Sequence, residues 1–107
     1  MKLLVNKLFG KFAIFALIIL TSMSIASAKI KVVSTFSILG DMVQNIGGNN
    51  IELTTLVGAN GDGHVYEPTP ADAKSVAASD VVFVNGLGFE GWIDRLVKAS
   101  GYKGKVI

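Results

Sequence analysis

The chain has 107 residues, 50% of them hydrophobic, with 10 basic residues against 8 acidic ones, a single histidine and no cysteine. That length holds one small domain at most, and without a thiol neither a disulfide scaffold nor a cysteine-based metal or redox centre can form. Three of the basic residues (Lys2, Lys7, Lys11) fall in the first 28 positions, which carry no acid, so the other 79 residues hold seven basic against eight acidic groups. The net charge of +2 thus belongs to the leader, and a nucleic-acid partner is not expected.

The leader has a positive start, an unbroken apolar run from Phe12 to Leu20, and the small-x-small site Ala26-Ser27-Ala28 before Lys29. This pattern predicts a secretory signal peptide over residues 1–28, cut after Ala28. A membrane-spanning helix needs about 20 apolar residues, and Thr21, Ser22 and Ser24 interrupt the run well short of that. An uncleaved anchor is the alternative. With no cysteine at the cut to carry a lipid, the mature chain is expected free in the periplasm of a two-membrane bacterium, or secreted, and not tethered by an acyl chain.

Beyond the leader, Ile30 to Val33 is a β-branched run that closes at Ser34-Thr35, followed by Ile38, Leu39, Met42, Val43 and Ile46 at helical spacing. Gly47-Gly48 supplies a helix stop, and Ile51 to Val57 reads as a second strand. Gly58 to Pro68 is too glycine-rich for regular structure and too long for a tight turn, a length that asks for a reason. Thr69-Pro70-Ala71-Asp72 starts a helix with a hydroxyl cap, proline at its first position and an acid placed to reach back. Ala73, Val76 and Ala77 give it a small-residue face. Val81 to Val84 reads as a strand covered by helices on both sides. After Asn85-Gly86, the residues Phe89, Trp92, Ile93, Leu96 and Val97 recur as one face of a helix ending at Ser100-Gly101. Lys105 to Ile107 opens a fourth strand. The order β-α-β-loop-α-β-α-β predicts an α/β fold: a parallel sheet with right-handed crossovers and helices on both faces. Four strands leave an apolar edge, and about 79 residues bury only roughly 60% of their unfolded surface, so the chain is expected to be the N-terminal part of something longer, or to need a partner.

In such sheets ligands bind beyond the carboxyl ends of the strands. The loop from Gly58 to Pro68 leaves the end of the second strand and carries His64, the chain's one histidine. A lone histidine in a polar loop is ordinarily a solvated surface residue. Here Gly61, Asp62 and Gly63 permit unusual backbone angles on arrival, while Pro68, Thr69 and Pro70 fix the departure. An imidazole framed in this way suits a metal ligand.

The segment His64-Val65-Tyr66-Glu67-Pro68-Thr69-Pro70-Ala71-Asp72, with Val81-Val82-Phe83-Val84-Asn85-Gly86-Leu87-Gly88-Phe89-Glu90 and the earlier Ser34 to Met42, resembles the zinc- and manganese-binding solute receptors of bacterial ABC importers, a family that includes proteins described as adhesins. The resemblance covers residues 30–107. It implies a two-lobed receptor, monomeric when complete, that carries zinc or manganese as its transported ligand to an ABC permease. It also implies that His64 is the first metal ligand, while Tyr66 and Glu67 shape the loop and the helix start. Only the N-terminal lobe, residues 29–107, is covered. One imidazole with Asp62 or Glu67 cannot complete a site that needs about four ligands, so weak binding by the chain alone is expected.

Gly86-Leu87-Gly88-Phe89-Glu90-Gly91 also fits the dinucleotide fingerprint, but it follows the third strand, and the acid expected about 20 residues later would fall near the chain's end. Glycines easing a strand-to-helix turn explain it better. The Phe89/Trp92/Ile93/Leu96 stripe reads as core. No nucleophile and base share a loop, so the chain is not expected to be an enzyme. An adhesion or interaction protein on the same fold, or an inactive product of a truncated gene, are the alternatives to a metal receptor.

Overall fold

The computed structural model describes residues 28–107; the leader read over residues 1–28 lies outside them except for Ala28. Strand β1 (Ile30–Phe36) runs past the β-branched segment that predicted it. Ser34 and Thr35 stay in the strand and are fully buried because their hydroxyls are satisfied: Ser34 Oγ donates to the Phe36 carbonyl at 3.0 Å and Thr35 Oγ1 to Glu90 at 2.6 Å. Helix α1 (Ser37–Gly47) follows at once. It ends as expected at Gly48, whose φ of +54° suits glycine, with its N–H donated to the Gln44 carbonyl. A short 3₁₀ turn leads into β2 (Ile51–Val57). After the long loop come α2 (Pro70–Ala78), β3 (Val81–Phe83), α3 (Ile93–Ser100) and β4 (Lys105–Val106).

All pairings are parallel, in the order β2-β1-β3-β4, with Ile30 opposite Ile51 and Val33 opposite Val82. The last pairing extends beyond the strand limits, since Val84 N–H reaches the Ile107 carbonyl and Ile107 N–H the Val82 carbonyl, both at 2.8 Å. Alternate residues of β1 face opposite sides. Val33 joins Leu56, Val57, Val76, Val82, Trp92, Ile93 and Leu96 in the core under α2 and α3. Ser34 faces α1, where a side chain on buried Gly40 would come within 3.5 Å of it.

Several expectations are corrected. α1 meets the sheet through Leu39, Gly40 and Val43, so Ile38 and Met42 point outward, 68% and 56% exposed, and Ile46, 87% exposed, stands at the open edge between helix and sheet. Gly40 brings the helix so near Thr55 that the contact narrows to one edge of the apolar stripe. In α2 only Val76 is buried, and Ala77 is exposed. β3 is not covered equally on both sides: Val82 is buried, whereas Val81 and Phe83 line an open apolar groove beside α1 with Ile30, Val32, Val43 and Ile46. α3 starts four residues later than the Phe89 periodicity predicted: Phe89 N–H donates to the Gly86 carbonyl and Ile93 N–H to the Glu90 carbonyl, both at 3.1 Å, so the stretch ahead of Ile93 is closed by three-residue turns and not by α-helical bonds.

Candidate functional site

Three strands deliver aromatic rings to one rim. Phe36 ends β1, Phe89 lies six residues past β3, and His64 sits in the loop after β2. The Phe36 and Phe89 centroids are 5.1 Å apart, and the His64 and Phe89 centroids 4.2 Å apart with their planes at 58°. Phe89 is therefore no part of the main core, contrary to its place in the apolar stripe; it is the seat of the imidazole. The His64 side chain remains 63% exposed, supported on one side and open on the other.

The loop holds this position through close approaches. Gly61 N–H donates to the Gly58 carbonyl at 2.9 Å, closing a turn. Whatever backbone freedom was expected of Gly61 and Gly63 before His64, neither takes a positive φ; among the described residues the positive-φ glycines are Gly48, Gly86, Gly88 and Gly101. They give room instead: a Cβ on Gly63 would lie 2.7 Å from Phe89 Cε1, and one on Gly61 2.6 Å from Val57 Cγ1. The buried Trp92 indole donates Nε1–H to the Gly63 carbonyl at 2.6 Å, tying the loop to the turn that starts α3.

Asp62 Oδ1 accepts the His64 backbone N–H at 2.9 Å and lies 3.3 Å from His64 Nδ1. The donated backbone N–H, with the ring's hydrogen bond adding to it, holds the Asp62 carboxyl below the usual carboxylate range. The exit from the loop is built as expected. Thr69 Oγ1 accepts Asp72 N–H at 3.2 Å, and Asp72 Oδ2 accepts Thr69 N–H at 2.8 Å, a complete capping box with Pro70 behind it. Tyr66 also donates its hydroxyl to Asp72 Oδ2 at 2.6 Å and sets its ring edge-on to Trp92 at 5.1 Å. That bond, helped by partial burial, pushes the Tyr66 hydroxyl pKa up to about 12. Glu67 is exposed.

Sequence reasoning gave Glu90 no role, yet it organises the rim. Its carboxylate is buried and accepts Thr35 Oγ1 (2.6 Å), Asn85 N–H (2.6 Å) and Gly86 N–H (3.0 Å), joining the end of β1 to the turn after β3. With the Asn85 and Gly86 N–H groups taken by Glu90, the first amides of the glycine-rich segment are not free to hold a phosphate. It also lies ahead of a turn, not at the start of α3. The signals for Phe89, Trp92 and Glu90 are long-range, and residue spacing alone does not carry them.

Chemically, the rim offers a nitrogen lone pair beside a carboxylate. Among the described residues no three His, Asp or Glu side chains gather as a metal cluster.

Residues 32–107 match the family described as zinc-uptake complex component A, periplasmic (ZnuA). The manganese-binding lipoprotein MntA of Halalkalibacterium halodurans is 46% identical over 64% of this chain and 23% of its own length. The manganese ABC transporter substrate-binding lipoprotein PsaA of Streptococcus pneumoniae is 44% identical over 73% of this chain and 26% of its own. The manganese-bound periplasmic metal-binding protein of Candidatus Liberibacter asiaticus superposes with a TM-score of 0.68 at 38% identity, over 74% of this chain and 30% of that one. The chain thus spans about a quarter of the length of these curated relatives. The parallel sheet, the rim it forms and the match over residues 32–107 place the chain in the zinc-uptake complex component A family of periplasmic proteins.

Proposed function

We propose that residues 29–107 form the N-terminal lobe of an extracytoplasmic solute-binding component of an ABC importer, with His64 contributing the first ligand to zinc or manganese. The carrying observation is the placement of the one imidazole. It stands at the carboxyl ends of the strands, seated on Phe89 and open to solvent, in a chain whose relatives bear names of manganese- and metal-binding importer components. A loop held at Gly63 and Asp72 keeps the ring from collapsing onto the surface, so less ordering entropy is lost when a cation arrives. The cation is cargo, and no bond is made or broken, so the lobe acts as a receptor and not as an enzyme. Its partner is a permease in the cytoplasmic membrane. Residues 1–28 serve as the export signal, cut after Ala28, and the sequence contains no cysteine for a lipid anchor.

One imidazole and one neighbouring carboxylate fall short of the four or more ligands these metals take. Titration calorimetry of the full chain with zinc or manganese chloride should therefore show weak binding, and His64→Ala should abolish it. Residual binding unchanged in His64→Ala would remove the imidazole from the site, and tight one-to-one binding by the chain alone would refute the need for further ligands.

A further inference from the structure

We propose that Asp62 is the positioning residue for His64: it receives the proton on Nδ1 and so fixes the tautomer whose Nε2 lone pair faces the incoming cation. This rests on the reading of His64 as a metal ligand. One carboxylate oxygen, Oδ1, accepts the His64 backbone N–H at 2.9 Å and stands 3.3 Å from Nδ1 of the same residue. The backbone bond holds that oxygen in place whatever the ring does. An ionised carboxylate can only accept, so a neutral ring facing it places its single N–H on Nδ1. Phe89 restricts the ring from one side at 4.2 Å, and the Trp92 bond to the Gly63 carbonyl, at 2.6 Å, fixes the peptide between aspartate and histidine. The remaining nitrogen, Nε2, is left with its lone pair available. Histidines that bind metal characteristically donate their other N–H to such a partner. Here the partner is two residues away in the same loop, so ligand and orienting group arrive together.

The chain's single histidine makes the test direct. Long-range proton–nitrogen correlation spectra of the full, ¹⁵N-labelled chain without metal, in mildly alkaline solution where imidazoles are neutral, report which ring nitrogen is protonated. The wild type should show a protonated Nδ1 and a bare Nε2. Asp62→Ala should shift the population toward the Nε2–H form, and Asp62→Asn, which keeps an oxygen acceptor, should fall between the two. A wild-type ring protonated mainly on Nε2, or a tautomer balance unchanged in Asp62→Ala, would overturn the proposal. Zinc chloride added to the same samples should perturb Nε2 in the wild type and require about 10- to 100-fold more metal in Asp62→Ala. If zinc leaves the ring signals untouched while the Nδ1–H tautomer is present, the ligand reading fails and the orienting contact stands; the reverse pattern sinks the contact alone.

Discussion

At the scale of single residues, the candidate site depends on side chains that touch no ligand. Trp92 anchors the loop through a hydrogen bond to the Gly63 carbonyl, and Trp92→Phe removes the donor while keeping an aromatic ring. It should lower stability in urea unfolding by about 1–3 kcal/mol, because the carbonyl loses its partner. Glu90→Gln is a sharper test. The amide's NH₂ must face either Gly86 N–H or the pair Thr35 Oγ1–H and Asn85 N–H, so at least one donor meets a donor. A loss of about 1–3 kcal/mol in the same measurement is expected. Tyr66 yields a pH prediction. Its folded pKa is raised from 10.0 to about 12, so the fold favours the neutral phenol. That contribution is complete below the unfolded value and is lost as pH climbs from about 10 to about 12. The melting temperature should drop over that interval, and drop less in Tyr66→Phe. His64 was legible as a framed imidazole because it is the one such ring in a loop too long to be idle. Its supporting residues were not, since Trp92 lies 29 positions from Gly63 and Glu90 lies 55 from Thr35.

At the scale of elements, local signals were reliable where they were local in cause. Thr69, Pro70 and Asp72 marked the start of α2, and both bonds of the capping box are present. Thr69→Ala should cost about 1 kcal/mol, read as a lower midpoint in chemical denaturation. Gly48 ended α1 for an equally local reason. α3 shows where periodicity misleads: Phe89 and Trp92 are spaced like helix residues, yet the bonds from Phe89 N–H to the Gly86 carbonyl and from Ile93 N–H to the Glu90 carbonyl put them on consecutive turns. α1 shows a different failure, because an apolar stripe gives the buried side only to within a helix rotation. Gly40 sets that rotation through its close approach to Thr55 on β2, a contact between helix and strand 15 positions apart in sequence. A Cβ on Gly40 would lie 2.5 Å from Thr55 Oγ1. Gly40→Ala should therefore destabilise by about 1–3 kcal/mol, from strain rather than a lost contact.

At the scale of the whole molecule, the strand and helix order sufficed for the parallel sheet, since short right-handed crossovers leave few alternatives. The uneven cover of β3 was not legible, because a strand of apolar residues reads the same with one side open. Metal should act on the whole fold by mass action. Zinc at about ten times its dissociation constant should stabilise the chain by about 1.4 kcal/mol, seen as a raised melting temperature, and His64→Ala should erase that rise.

The buried carboxylate of Glu90 has a consequence for what can dock at this rim. Sheets of this strand order ordinarily leave a crevice between the first and third strands, where backbone amides welcome negatively charged visitors. Here an internal side chain already takes the Asn85 and Gly86 amides, so neither of those donors is open to a phosphate or a carboxylic acid. What the neighbouring loop presents are the exposed oxygen and nitrogen atoms of Asp62 and His64, groups that suit a cationic guest better than an anionic one.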